Sequence, residues 1–373
     1  MTLEGFFEAL QEAPDRRQEW KIKHKMGDII AMMLMGYLAR CDEIEEIHVW
    51  AEYHEETLRT YLELPNGIPS YDTMRRVMAI VDPGYLNLLL QEWNELTAEG
   101  ETGKLRKILS IDGKTQRGNG TSAQAPNHIL SAVDENGVCL GQEVVDEKSN
   151  EIAAIPELID RVRMAGQIVT LDAMGTQKEI AQKIRKKRAD YVLALKKNQQ
   201  NLYEDVHLYF EDAEHVSGSA YASKTEKARG GIEKREYWQT SDIGWLEQKS
   251  EWTGLKTIGM TRNTITKRGK TTQETRYFIS SLDVDAELFA RAVRGHWAVE
   301  AFHWHLDVTF REDDDQTLDK QAAYNLNILR KFALAILRAA DIGKRGKKNS
   351  SLKKKRLHIS LDPIRYLHLV FDI

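Results

Sequence analysis

The sequence predicts an α/β chain in which an all-helical N-terminal segment precedes a mixed sheet with flanking helices, the sheet region being interrupted by a β-rich stretch. Three observations predict it. Over residues 3–98 apolar side chains recur at helical spacing, with Gly and Pro confined to breaks such as LPNG (64–67) and DPG (82–84). Near residue 104 the pattern changes to short β-rich runs. Beyond residue 150 strand-like and helix-like runs alternate, the order that parallel strands joined by crossover helices require.

Within the helical segment one helix starts at Ser70 in PSYDTMRRVMAIV, where Ser70 and Thr73 offer side-chain oxygens to free backbone amides. Its Arg75 and Arg76 face solvent or a partner. The runs 105–112 (LRKILSID), 128–134 (HILSAVD) and 138–145 (VCLGQEVV) form a hairpin meander, the last two joined by the turn Asp134-Glu135-Asn136-Gly137. A helix follows over 151–165, capped by Ser149 or Asn150, then a strand (167–172, QIVTLD), a helix (177–188) and a strand (191–196, YVLALK). Strands at 233–240, 251–261 and 274–282, separated by polar connections such as KRGK (267–270), make a β-rich insertion over about 203–282. Helices return from 286 past His305 and over 321–340. The stretch 343–358, GKRGKKNSSLKKKRLH, carries eight Lys/Arg and no acid. The expected domains are therefore helical (1–100), α/β (101–342) and a basic C-terminal segment (343–373).

With 373 residues, 42% apolar and 29% charged, the chain can bury one large core or two ordinary ones. The longest apolar run, 29–38, is about half of a bilayer-spanning helix, and no basic region precedes an apolar stretch at the start, which argues against membrane insertion and secretion. Cys41 and Cys139 are the only thiols, too few for a disulfide framework or a cysteine-based zinc site. A cytoplasmic protein is expected. The net charge of −4 hides a split, because residues 1–100 hold 9 basic against 19 acidic side chains and the remainder 44 against 38.

Asp112 closes an apolar strand and is followed at once by Gly113 and Lys114, and Asp172 does the same in IVTLD, followed by AMG. Ligand sites in open α/β sheets collect at the carboxyl ends of strands, so the two carboxylates can converge; each could also merely close a turn or cap a helix. A third acid is sought in RGHWAVEAFHWHLDVTFRED (294–313). On a helix His296, Glu300, His303 and Asp307 share one face, with Trp297, Ala301, Trp304 and Val308 as the apolar stripe beside it. Simple amphipathicity explains the same spacing, and a zinc site of His296, Glu300 and His303 is a weaker rival without the HExxH arrangement. Lys196 and Lys197 close a strand of the same sheet, where a solvated strand end is the plain reading.

The strings SIDGKTQRG, GQEVVDEKSNEIAAIPELI, IVTLDAMGTQKEIAQKI, ADYVLALKKNQ and RGHWAVEAFHWHLDVTFRED, in this order, resemble a DDE transposase of the H-repeat-associated insertion-sequence family, and GIPSYDTMRRV resembles its associated helical domain. The resemblance spans nearly the whole chain. It implies a ribonuclease-H-like core in which Asp112, Asp172 and Glu300 are the catalytic triad and bind two Mg²⁺ ions, with Mn²⁺ as a substitute. His296, His303, Asp307, Lys114, Lys196 and Lys197 would orient those ligands or touch phosphate. Arg75, Arg76, Arg294, Lys347, Lys348, Lys353, Lys354 and Lys355 would contact double-stranded DNA, both element ends and target, in the bacterial nucleoid. The implied chemistry is hydrolysis at an element end followed by attack of the freed 3′-hydroxyl on target DNA, in a complex where a homodimer pairs the ends. A nuclease that cuts without joining and a catalytically degenerate DNA-binding derivative stand beside this reading.

The chain departs from the wider superfamily in two places. Where related transposases carry Tyr, Arg and Lys at seven before, four before and seven after the Glu, it has Val293, His296 and Asp307, with Arg294 out of phase. In KARGGIEKR (227–235), Ala228, Arg229 and Gly231 replace the first Gly, the His and the Arg of a segment usually written GHGRIE.

Overall fold

A computed structural model describes residues 3–98, 106–145, 150–228, 230–343 and 350–371. The first stretch is helical: α1 (Leu3–Gln11), α2 (Met26–Leu38), α3 (Ile44–Tyr53), the single turn α4 (Glu55–Leu58), α5 (Tyr71–Met78) and α6 (Pro83–Ala98). Ser70 caps α5, its Oγ accepting from the Thr73 amide at 3.4 Å. The apolar run 29–38 lies within α2, which is buried along its whole length, and no helix among the described residues is long and apolar enough to cross a membrane.

The sheet begins with β1 (Ile108–Thr115), β2 (His128–Asp134) and β3 (Cys139–Val145), an antiparallel meander. Helix α7 (Glu151–Arg161) follows, capped by Asn150; Ser149, the other cap candidate, lies outside the described residues. Then β4 (Ile168–Leu171), α8 (Lys178–Lys186) and β5 (Asp190–Leu195) add two strands parallel to β1. The order β3-β2-β1-β4-β5, with the first three antiparallel and the last two parallel, is the ribonuclease-H-like arrangement.

The expected β-rich insertion is not a body apart from this sheet. After α9 (Gln200–Glu211) and α10 (Ala213–Gly218), four antiparallel strands, β6 (Ala220–Ala228), β7 (Gly231–Thr240), β8 (Thr257–Lys267) and β9 (Lys270–Ser280), extend it to nine strands because β9 pairs with β5. The segment KRGK is itself the β8–β9 turn: Lys267 pairs with Lys270 across Arg268 and Gly269, both at positive φ, as a two-residue hairpin demands. That turn moves β8 six residues later than its sequence reading.

The chain closes with α11 (Ala286–Gly295), α12 (Trp297–Thr309), α13 (Lys320–Ala339), α14 (Leu352–Leu361) and α15 (Pro363–Phe371). One face of the sheet packs on α7, α8 and α9, and the other on α11. The N-terminal helices share a single hydrophobic core with α12, α13, α14 and α15, so the first 98 residues and the C-terminal segment close on each other. Arg356 ties them: buried, it donates to the carbonyls of Tyr37, Cys41 and Thr309 and to Asp42 Oδ1 at 2.6 Å.

Candidate active site

Parallel pairing places the first two acids side by side. The β1–β4 ladder runs from Ile108↔Ile168 to Ile111↔Leu171, so Asp112 and Asp172 are the next residues on neighbouring strands, where the ladder ends. Beyond this point β1 continues with β2 while β4 turns away; Asp172 Oδ1 accepts from the amides of Met174 (3.0 Å) and Gly175 (3.1 Å) and fixes that turn. It closes a turn rather than capping α8, which starts at Lys178.

The third acid comes from α12. Gly295 lets the α11–α12 junction press on β1, since a Cβ there would stand 2.8 Å from Ile108 Cγ2, and Ser110 Oγ donates to the Gly295 carbonyl at 3.2 Å. One turn on, Glu300 projects, exposed, into a cleft of about 450 Å³ that Asp112, Asp172, Thr170, Lys196, Tyr203, Arg276, His296 and Trp297 also line. Burial, opposed by a hydrogen bond from the Gly113 amide and reinforced by the charges of Glu151, Asp172 and Glu300, pushes Asp112 up to about 7. The cleft thus concentrates carboxylates that repel one another.

The neighbouring face of α12 is divided. His296 Nδ1 lies 3.1 Å from Thr170 Oγ1, so it braces α12 on β4 instead of bonding Glu300. His303 Nδ1 is 3.6 Å from Asp112 Oδ2; burial, with Lys331 and Lys114 nearby, lowers its pKa to about 3, and its buried Nε2 has no partner. The zinc rival fails on this geometry, since His296 and His303 point to different strands. The stripe Trp297, Ala301, Trp304 and Val308 is not core either: Trp304 and Val308 are 54% and 55% exposed, and Val299, Phe302 and Leu306 are buried in its place.

Lys114 and Asp307, expected beside phosphate, face each other instead. Lys114 Nζ sits 2.8 Å from Asp307, 2.8 Å from Glu312 and 3.0 Å from Asp313. Burial alone would lower the Lys114 pKa, but Glu312 and Asp307 outweigh it and hold it above its usual value. Lys355 is also withdrawn from DNA: it is buried, and its ammonium donates to the Leu337 and Ala340 carbonyls at the end of α13. Lys353 and Lys354 remain exposed on α14, Lys347 and Lys348 lie outside the described residues, and Arg75 and Arg76 are exposed on α5. Lys196 and Lys197 are exposed at the end of β5, Lys196 at the cleft.

Clustered hard oxygen donors suit Mg²⁺. The donor set fits such ions in kind and charge, although among the described residues no three acid or histidine side chains already close on one point. A "Transposase DDE domain" model matches residues 103–336, and one described as "DDE_Tnp_1-associated" matches residues 7–94. The chain belongs to the H repeat-associated DDE transposases. It is similar to two full-length relatives from strains of Escherichia coli. The "H repeat-associated putative transposase YhhI" is 34% identical over 374 residues, 97% of this chain and 96% of the relative; the "Putative transposase YncI" is 34% identical over 371 residues, 97% and 93%.

Three features of this family member escaped the sequence reading. Arg276 on β9 lines the acid cleft, and Arg235 and Arg262 line the adjoining groove, where they join Arg294, a residue the sequence reading did name, which stacks on Trp297 at 4.2 Å. Arg235 and Arg276 fall inside strands read from the sequence, but the exposed ladder ends around them carry no alternation that would single them out. Glu151, whose charge acts on Asp112, reads in sequence only as an acid in a helix's first turn. The family departures at Ala228 and Gly231 fall at the β6–β7 turn, outside the residues lining the cleft; Arg229 lies outside the described residues.

Proposed function

We propose that this chain is a DNA transposase that hydrolyses phosphodiesters at the ends of its element and joins the freed 3′-hydroxyl to target DNA. One observation carries the reading: Asp112 and Asp172 are register neighbours at the end of a parallel ladder, with Glu300 brought over them by α12. These three carboxylates would hold divalent cations, Mg²⁺ or Mn²⁺, which when bound activate an attacking oxygen and stabilise a leaving one. The chain's own residues do the rest. Asp172 is fixed through the Met174 and Gly175 amides, His296 braces α12 on Thr170, and the Lys114 cage holds β1 to α12, so the acids stay in register while DNA enters. Lys196, Arg276 and Arg294 lie where a phosphate backbone would pass the cleft. The substrate is double-stranded DNA, the protein acts in the bacterial cytoplasm, and pairing of two ends calls for a homodimer in the DNA complex.

The test is a labelled duplex spanning the inverted repeat that flanks the gene, incubated with Mg²⁺ and plasmid DNA. Wild type should nick at the repeat end and transfer it to plasmid; Asp112→Asn, Asp172→Asn and Glu300→Gln should bind the duplex and do neither. Equal cleavage by these variants would sink the assignment, and cutting without transfer would reduce it to a nuclease.

A further inference from the structure

Glu151 opens α7 on the face of the sheet opposite α12, yet its carboxylate reaches β1 at Gly113, next to Asp112. Side chains alternate along β1, so Asp112 faces α12 and Gly113 faces α7. A Cβ on Gly113 would lie 2.4 Å from both Glu151 Oε1 and His128 Nε2. Only the absent side chain beside Asp112 allows this pair to lie against the strand. The pair is built rather than incidental: His128 Nε2 and Glu151 Oε1 are 2.5 Å apart, and His128 Nδ1 is 2.8 Å from the hydroxyl of Thr115, its cross-strand partner. Both ring nitrogens are engaged, which fixes the imidazole and with it the carboxylate.

We propose that Glu151, positioned by His128, is a fourth carboxylate of the cleft and shares with Asp112 the ligation of a divalent cation. The inference rests on the reading of the cleft as a cation site. Glu151 Oε1 stands against Gly113, the residue that follows Asp112 where the β1–β4 ladder ends, so its carboxylate lies beside the strand position next to the first acid. The competing account is that Glu151 only favours the start of α7 through the helix dipole. In that case it would influence stability and not metal affinity.

Mn²⁺ alone is the probe, titrated into the full-length protein without DNA while free Mn²⁺ is followed by electron paramagnetic resonance. Glu151→Gln keeps the shape and removes the charge, and should weaken binding by at least 10-fold. His128→Gln keeps Glu151 but frees it, and should weaken binding by about 10-fold, the lower end for loss of a group that orients a ligand. Asp112→Asn is the control. If Asp112→Asn loses Mn²⁺ and both other variants bind as wild type does, this inference is overturned and the cation reading stands. If wild type binds no Mn²⁺, or Asp112→Asn binds unchanged, both fall. Should Glu151→Gln not fold, His128→Gln decides alone, and a wild-type affinity there overturns the proposal.

Discussion

Two residues apart on one strand, Asp112 and Lys114 occupy opposite electrostatic environments. Lys114 is a largely buried cation among three carboxylates, whereas the charges that act most on Asp112 are those of other carboxylates, Glu151, Asp172 and Glu300. Buried charge is tolerated when it is paired, so the Lys114 cluster holds the protein together and needs nothing from outside. On the proposed reading, divalent cations would balance the Asp112 cluster. The contrast teaches that an acid's type and spacing do not make a site; the charges set around it do.

The largest expected effect lies in the unbalanced cluster. Asp172→Asn or Glu300→Gln should lower the cleavage rate by about 10³-fold or more, since several kcal/mol of transition-state stabilisation would go with the cations. Binding of the duplex should be almost unchanged. A single-turnover assay beside a gel-shift titration measures both, and a parallel loss of binding would show that these acids position DNA instead.

The balanced cluster should fail in the other way. Lys114→Met leaves Glu312, itself fully buried, beside Asp307 and Asp313 without their shared cation, and should cost about 3–5 kcal/mol of stability. Arg356→Ala strands the buried Asp42 carboxylate similarly. Denaturant unfolding is the measurement. A loss under about 1 kcal/mol for Lys114→Met would mean that water already solvates the cluster.

The sharpest comparison is one of sign. In chelator, Asp112→Asn removes repulsion and should raise stability, on the order of 1 kcal/mol or about 2 °C in the unfolding midpoint. Saturating Mg²⁺ should reverse the order, because wild type alone then gains about 2.7 kcal/mol at 100 times Kd. If Asp112→Asn is the less stable protein in chelator too, the cluster is not strained by its own charge.

The five strands and two helices that carry the first two acids were legible because each element has one job. Runs such as IVTL are buried throughout, and the acids follow them directly. The reading of α12 named Trp297, Ala301, Trp304 and Val308 only as an apolar stripe beside the polar face, and that stripe is not what the helix buries. Helical spacing identifies faces but does not say which one meets the protein, and here a neighbouring face, Val299, Phe302 and Leu306, fills the core. The β6–β9 extension was blurred because exposed ladder ends such as residues 270–276 carry no apolar alternation. The Glu151–His128 pair depends on a gap at Gly113, a tertiary fact with no local signal.

The smallest expected effect concerns the C-terminal segment. Read as sequence, its eight basic residues form one cationic tail, and cutting after Ile342 would test their role in DNA binding. The structure divides them. Lys355 and Arg356 are buried props of α13 and α2, whereas Lys353 and Lys354 lie on the solvated side of α14. Truncation would therefore remove packing together with charge, and weaker binding would mean nothing. The double variant Lys353→Ala/Lys354→Ala keeps the fold and isolates the charge. If both lysines meet phosphate, the slope of log K against log salt should flatten by about 0.9 for each contact, equally on specific and random duplexes. Arg356→Ala, judged at a temperature where it remains folded, should leave that slope alone. An unchanged slope in the double variant would make α14 a structural strap with a solvated face and shift the search for phosphate contacts to Arg276 and Arg294 beside the cleft.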